Sequence, residues 1–286
     1  MDKVEMIFEE QLKRCGVEYF DFYLFHNVCE MNIDAYLDKK YGIFEYLLKQ
    51  KQSGRIRHLG FSAHGSYNVM KRFLEAYGEQ MEFCQIQLNY LDWSFQDAEK
   101  KVELLGEYQI PVWVMEPLRG GKLSELSEED TKKLKKLRPE EDTPAWAFRF
   151  LQTVPSVTVT LSGMSNLKQL KDNIRTFETE RPLDRQEFDT LMEIADGMVK
   201  KRILPCTACR YCTSHCPQQL DIPSLLSLYN EHRFTEGGFI APMVLMAVPE
   251  EKRPDACIGC RSCEAVCPQQ IKISEAMADF SGRLRA

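Results

Sequence analysis

The stretch CTACRYCTSHCP, Cys206–Pro217, decides how the second half of this 286-residue chain folds. Its pattern, C-x2-C-x2-C-x3-C-P, returns as CIGCRSCEAVCP at Cys257–Pro268. Three thiolates at two-residue gaps can bind one face of a cubane iron–sulfur cluster, while the fourth cysteine points towards a second cluster. The repeat therefore predicts a small domain built around two [4Fe–4S] clusters.

The repeat also predicts which thiols share a cluster, because the fourth cysteine of each motif crosses to the other one. Structural zinc is the alternative, but zinc usually takes two separated pairs of ligands, and three cysteines so close together fit that pattern poorly. The segment DIPSLLSLYNEHRF between the motifs has a helical pattern, so we expect a mainly α-helical, ferredoxin-like domain. The first cluster is assigned to Cys206, Cys209, Cys212 and Cys267, and the second to Cys257, Cys260, Cys263 and Cys216.

Composition excludes several classes of function. A formal charge of −6 provides no basic field for nucleic acid or anionic lipid. No secretion signal opens the chain, and its longest apolar candidate for a membrane span, GGFIAPMVLMAV, is short and broken by Pro242. Eleven cysteines without such a signal indicate metal binding in a reducing cytoplasm rather than disulfides. The other three, Cys15, Cys29 and Cys84, are expected to be buried and inert.

The first half alternates between strand-like and helical segments. Alternation of this kind predicts an α/β domain with a parallel sheet and crossover helices. Five strands are predicted, whereas a closed (β/α)8 barrel needs eight and about 250 residues. The domain is therefore either an open sheet of another topology or a barrel without its front, with domain limits at residues 1–198 and 199–286. The strand runs are YFDFYLFHN, IRHLGFSA, FCQIQLN, IPVWVME and SVTVTLSG, which begin at Tyr19, Ile56, Phe83, Ile110 and Ser156.

Five segments, in order, resemble the fourth to eighth strands of the aldo/keto reductases and their loops. With the cysteine repeat, the chain resembles the iron–sulfur branch of that family, in which a TIM-barrel-type reductase domain precedes a ferredoxin-like domain. The resemblance implies an incomplete barrel of about five β/α units, with Met1 in the helix before the fourth strand, as an internal start would place it. The segments are LKRCGVEYFDFYLFHN, GRIRHLGFSAHG, QIQLNY, IPVWVMEPLRGGKL and SGMSNLKQLKDN.

The resemblance implies hydride transfer between a nicotinamide and a carbonyl. In the family a Tyr donates the proton, assisted by a Lys and an Asp, and a His orients the carbonyl. The first three lie on strands absent from this sequence, so only His26 carries over as a catalytic position. Substrate hydrogen bonding by a His at a strand end suits a barrel, whose active site lies at the carboxyl ends of its strands.

Cofactor positions also follow from the resemblance. Ala63 stands where the family usually has an Asn, and Met115 where an aromatic ring often stacks on the nicotinamide. No cation for the 2′-phosphate is obvious, so NADP(H) and NAD(H) both stay open, as does a shortened chain that binds neither. The implied cofactor-binding residues are Ser62, Gln85, Met115, Leu118, Arg119, Gly120, Gly121, Gly163, Met164, Ser165, Gln169, Asp172 and Asn173.

Three functions are compatible with these features. The first is an NAD(P)H-linked oxidoreductase that acts on a small carbonyl substrate and exchanges electrons with an external carrier through its clusters. The second is an electron-transfer protein without hydride chemistry, which explains the absent Asp, Tyr and Lys. The third is an inactive fragment of a larger protein. A five-stranded sheet also leaves open edges, so we expect self-association through them.

Overall fold

The first unit is organised by a five-stranded parallel sheet with the strand order β1-β2-β3-β4-β5. The computed structural model describes residues 2–200, 203–206 and 208–285, and contacts divide the chain into units Met1–Ala195 and Asp196–Ala286. Four of the five strands are rich in β-branched or aromatic residues, the exception being Cys84–Gln87, and the five predicted strands are confirmed. The strands are β1 Phe20–Val28, β2 Ile56–Ala63, β3 Cys84–Gln87, β4 Val112–Met115 and β5 Val157–Thr160.

Helices connect these strands, as the parallel order requires. Their ends follow local rules: the Ser127 hydroxyl caps the helix Glu128–Leu137 by accepting from the Asp130 amide at 3.2 Å, and Gly54, just past the helix Ile43–Gln52, has φ +79°. Asp142 is the N-cap of the helix Thr143–Gln152. The helices of this unit are α1 Asp2–Cys15, α2 Ile33–Leu37, α3 Ile43–Gln52, α4 Tyr67–Tyr77, α5 Asp92–Phe95, α6 Ala98–Glu107, α7 Glu128–Leu137, α8 Thr143–Gln152, α9 Leu167–Glu178 and α10 Arg185–Lys200.

The two faces of the sheet are unequally covered. One face is buried through residues such as Leu59, Ile86 and Val114, as expected where crossover helices pack on a sheet. The opposite face leaves Phe22 50% exposed. On that face Trp113 packs 4.8 Å from the Phe22 ring, between centroids. In a closed barrel this second face would be the packed interior, so its exposure is the mark of the incomplete barrel.

The second unit is mainly helical, with α11 Ile222–Thr235, α12 Ile240–Met246 and α13 Ile273–Arg285. Its apolar core includes Leu226, Ile271 and Met277, and it incorporates Cys212 and Cys263. Three thiol positions of each motif thus lie against one small core, whereas the second cysteine of each, Cys209 and Cys260, is exposed. None of the helices in the described ranges is long and apolar enough to cross a membrane.

Candidate functional site

A cavity of about 1270 Å³ lies where β4 and β5 end. Its position matches the edge at which parallel α/β sheets place their ligands. The loops after β4 and after β5, which line it, were singled out from the sequence, whereas residues 140–145, which line it as well, were not. Ten of the implied cofactor positions line this cavity, namely Met115, Leu118, Gly120, Gly121, Gly163, Met164, Ser165, Gln169, Asp172 and Asn173.

Two other implied cofactor residues, Ser62 and Gln85, do not line the cavity. They are neighbours across β2 and β3 in the sheet register. Ser62 is buried and its hydroxyl accepts a hydrogen bond from the Asn27 amide at 2.8 Å. The Gln85 amide nitrogen lies 3.5 Å from the Met115 sulfur, so this residue does reach a cavity-lining side chain.

The loop after β4 is anchored by a buried carboxylate that the sequence did not single out. Asp92 is fully buried, and its Oδ2 accepts hydrogen bonds from the side-chain amides of Gln87 and Asn89, each at 2.7 Å. Its Oδ1 lies 2.9 Å from Nε of Arg119, which is itself buried. A paired and hydrogen-bonded carboxylate is the form in which a buried charge is tolerated. In the sequence, the only feature that could have indicated this carboxylate is the segment QLNYLD, which overlaps the end of a predicted strand.

The same anchor sets the backbone of the loop. Arg119, Gly120 and Gly121 all have left-handed φ values, of 48°, 62° and 87°. The Gly120 amide donates to the Glu116 carboxylate. Glycine adopts this conformation without strain, whereas Arg119 is kept there by its buried ion pair. The LRGG turn is therefore a structured feature rather than a plain surface loop.

The loop after β5 leads into α9, whose first turn is capped twice. Asn166 Oδ1 accepts from the Gln169 amide at 3.0 Å, and the Gln169 side chain accepts from the Ser165 amide at 2.7 Å. Asn173 reaches back to the Ser162 hydroxyl at 3.2 Å. These contacts hold the start of α9 beside the cavity, where a helix N-terminus favours an anion.

Cations near this helix, which were not evident from the sequence, line the cavity. Lys168 Nζ lies 2.6 Å from the Asp172 carboxylate, and an Arg175 nitrogen lies 3.5 Å from it. The hydrogen bond from Lys168 lowers the pKa of Asp172, so this carboxylate is ionised between two cations. Arg181 lines the same cavity. The helix α9 brings these charges together because they are four and three residues apart, and the choice between NADP(H) and NAD(H), which the sequence left open, stays a prediction.

His26 lies two residues before the end of β1 with an exposed side chain, and its backbone carbonyl accepts from the Tyr36 hydroxyl at 2.8 Å. His64, just after β2, is its neighbour: burial lowers the pKa of His64, and the proximity of His26 and Lys101 lowers it further. Among the described residues, those that line the large cavity include neither a histidine nor a tyrosine. His26 is therefore not brought to that cavity.

The cysteines of the second unit surround two small cavities. Apolar side chains form much of the walls, including Leu226 and Ile271 at the first and Leu220 and Met277 at the second. Among the described residues, no group of three or more acidic, histidine or cysteine side chains is placed to hold a single metal ion. Cys206, Cys209, Cys212 and Cys267 line one cavity, and Cys216, Cys257, Cys260 and Cys263 line the other.

Burial affects the inner thiol of each quartet. It raises the pKa of Cys263 to about 11, where nearby Glu264, Cys216 and Cys257 add to the effect. The pKa of Cys212 is raised in the same way. Neutral thiols result, and a metal centre binds thiolates, so metal binding there releases protons. Four soft sulfur donors in an apolar shell suit an iron–sulfur cluster.

Outside the quartets, the first unit holds the other three cysteines. Cys29 and Cys84 are buried as expected, and burial raises the pKa of each. Cys15 is exposed, so the expectation of burial is wrong for it. It is the last residue of α1, so the thiol is exposed at the helix end although helical spacing places it on the same face as the buried Phe8 and Leu12.

The sequence model of the aldo/keto reductase family matches residues 2–196. This chain belongs to the aldo/keto reductase family. A second model, of a 4Fe-4S dicluster domain, matches residues 205–272. This family member thus joins an incomplete barrel to a helical 4Fe-4S dicluster domain.

Two curated relatives match different lengths of this aldo/keto reductase. An uncharacterized oxidoreductase, YqkF of Bacillus subtilis (strain 168), is 27% identical over 205 residues, which are 64% of this chain and 62% of that protein. The acetyl-CoA decarbonylase/synthase complex subunit alpha 1 of Methanosarcina mazei is 32% identical over 92 residues, 32% of this chain and 10% of that subunit. The chain thus spans a tenth of one relative and less than two thirds of the other.

Solved structures of aldo/keto reductases share the fold of this family member. The holo form of AKR11C1 from Bacillus halodurans is 25% identical and superposes with a TM-score of 0.55, covering 67% of this chain and 64% of that one. Its apo form gives 22% identity, a TM-score of 0.54 and coverage of 67% of both chains. About a third of each reductase has no counterpart here, in agreement with the five strands.

Proposed function

We propose that this iron–sulfur oxidoreductase holds two [4Fe–4S] clusters crosswise and binds a nicotinamide dinucleotide in its large cavity. The observation that carries the proposal is the composition of the two thiol quartets, since each combines three cysteines of one motif with the last of the other. Two clusters are bound in this way when each motif contributes its fourth cysteine to the other cluster. We further propose a reducing cytoplasmic location, in which these thiols stay unpaired.

The chain's own residues would hold each cluster in a defined way. Four thiols of a quartet would coordinate it after losing their protons, and the apolar walls would exclude water. Bound clusters supply one-electron transfer. Backbone amides help as well: the Leu220 amide lies 3.5 Å from the Cys216 sulfur, and hydrogen bonds to cluster sulfurs tune reduction potentials.

The large cavity supports dinucleotide binding through its loops. Its volume of about 1270 Å³ exceeds the range of roughly 300–1000 Å³ for drug-sized ligands, as an extended dinucleotide requires. The left-handed turn at Gly120 and Gly121 exposes backbone without side chains, which permits close approach of a pyrophosphate. A bound nicotinamide supplies hydride. A 2′-phosphate would compete with the Asp172 carboxylate for the positive charges of Lys168 and Arg175. We therefore propose only a weak preference for NADP(H) over NAD(H).

We propose that this chain alone reduces carbonyls very slowly. Hydride transfer to a carbonyl needs a proton donor, and the described lining of the cavity has neither tyrosine nor histidine. The test is NADPH oxidation with a panel of small aldehydes, comparing the wild type with His26→Ala. We expect no difference between them above background. Turnover of about 1 s⁻¹ or more, lost in His26→Ala, would contradict the proposal.

The clusters are tested by analysis of anaerobically purified protein. We expect about eight iron atoms per chain and an EPR signal after dithionite reduction. Cys267→Ser should remove the signal of one cluster, whereas Cys15→Ser, an exposed cysteine outside both quartets, should leave iron content unchanged. One or two zinc ions with a silent spectrum would replace the cluster proposal by a structural zinc site.

The second candidate is an electron-transfer protein without hydride chemistry, favoured because the described lining of the cavity has neither tyrosine nor histidine. In that case an external electron carrier is the partner and no small carbonyl substrate exists. Anaerobic addition of NADPH separates the two candidates. Bleaching of the cluster absorbance supports a nicotinamide-linked protein, whereas unchanged absorbance that dithionite then bleaches supports electron transfer alone.

A further inference from the structure

Arg210 and Arg261 occupy the same place in the two cysteine motifs, directly after the second cysteine. Both adopt a left-handed backbone, with φ values of 66° and 61°. This conformation is unfavourable for an ordinary residue and is more easily adopted by Gly, Asn or Asp. Neighbouring turns repeat as well, since Ala208 and Gly259 are both left-handed. An arginine retained twice in this unfavourable conformation indicates a purpose for its side chain.

Each arginine belongs to one thiol quartet. Arg210 lines the cavity of Cys206, Cys209, Cys212 and Cys267, and Arg261 lines the cavity of Cys216, Cys257, Cys260 and Cys263. A guanidinium is always charged in a protein. Every quartet is therefore accompanied by one permanent cation of its own.

We propose that Arg210 and Arg261 each raise the reduction potential of the one cluster beside them. The inference rests on the proposed function, in which both quartets hold [4Fe–4S] clusters. A cluster bound by four thiolates gains one negative charge when it accepts an electron. A fixed positive charge nearby stabilises that reduced form more than the oxidised form, so the potential rises.

The two arginines are not equivalent. Arg210 Nη1 lies 3.3 Å from the Asp221 carboxylate, so part of its field is cancelled by a direct partner. Lys272 stands after the second motif where Asp221 stands after the first, and it pairs with Glu275 at 3.6 Å. At the second quartet the nearby carboxylate is Glu264, which accepts from the Ser274 amide at 2.8 Å. Arg261 should therefore have the larger effect on its cluster.

The test is an anaerobic redox titration of the full chain followed by EPR, with Arg210→Gln and Arg261→Gln. Glutamine is chosen because this unit already holds Gln219 and Gln270 in left-handed conformation. We expect each variant to lower one midpoint potential and leave the other unchanged, with the larger shift in Arg261→Gln. Cys267→Ser identifies the signal of the first quartet.

Two controls distinguish an effect of the arginine charge from an effect of altered structure. Arg210→Lys and Arg261→Lys keep the positive charge and should retain the wild-type potentials. Arg285→Gln removes an exposed arginine that lines neither cavity and should change nothing.

Several results would overturn the inference. These are unchanged potentials in both glutamine variants, equal shifts of both signals in each, or a loss of iron, which would assign the arginines to cluster retention. Wild-type protein without about eight iron atoms would instead reject the proposed function itself, before any variant is made.

Discussion

At the scale of single residues, Asp92 is the clearest case of a group whose importance depends on burial. Its carboxylate accepts from two side-chain amides and pairs with Arg119, all within the first unit. Removing one partner of a buried pair leaves the other charge uncompensated, which costs far more than losing a surface pair. The Asp34 carboxylate provides the comparison, since it pairs with Arg72 at 2.6 Å on the exposed surface.

We predict that Asp92→Ala lowers the free energy of unfolding by about 3–5 kcal/mol. Asp34→Ala, the matched control, should lower it by about 1 kcal/mol or less. Urea unfolding can be followed by tryptophan fluorescence, which reports on the first unit because Trp93, Trp113 and Trp146 all lie there. Equal losses in both variants would show that Arg119 does not depend on this carboxylate.

A second prediction at this scale concerns acid stability. Burial holds the pKa of His64 below its usual value of about 6.5, so the unfolded state binds a proton more readily than the folded state. Stability should therefore fall as the pH drops below about 6.5. His64→Gln should reduce that slope in unfolding experiments between pH 7.5 and pH 5.5. Identical slopes in the two proteins would contradict the assignment.

At the scale of elements, the contact between β2 and the start of β3 depends on one glycine. A Cβ on Gly60 would lie 2.5 Å from the Phe83 carbonyl oxygen and 2.6 Å from its ring. The Phe83 ring in turn stacks on Trp113 of β4, with centroids 4.4 Å apart. A side chain at Gly60 would therefore displace a contact that links three strands.

We predict that Gly60→Ala destabilises the first unit by about 1–3 kcal/mol, the usual cost of overpacking. Gly106→Ala is the matched control, since the added Cβ would meet nothing and the residue is inside α6. Alanine should there stabilise the helix by about 0.5–1 kcal/mol. The measurement is thermal unfolding of both variants. A neutral Gly60→Ala would mean that Phe83 moves aside freely.

At the scale of the whole molecule, the exposed face and the ends of the sheet have consequences for association. Within the described residues, β1 and β5 each pair with only one other strand, so each presents a free edge. Phe22 lies on β1 and exposes half of its surface on the uncovered face. Free edges beside apolar surface favour association with other chains.

We predict concentration-dependent self-association, measured by sedimentation velocity. Phe22→Glu should weaken it, because a charge on that face opposes its burial against another chain. Met246→Glu, at a 70% exposed apolar residue of the second unit, should have no such effect. A monodisperse monomer at all concentrations would contradict the prediction.

The sequence by itself determined what depends on near neighbours along the chain. The period of the strand and helix segments and the cysteine spacing are local patterns, and five strands plus a helical iron–sulfur domain followed from them. The resemblance added the family, since five short motifs in order are specific where each alone is not.

Tertiary structure decided what depends on distant segments. Only the fold shows that Asp92 is buried against Arg119, that Lys168 and Arg175 share Asp172 at the cavity, and that His26 does not line it. Burial and charge pairing depend on contacts across many residues, and no local pattern records them. The open face of the sheet has the same cause. The sequence of a strand does not show whether a distant segment packs on that strand.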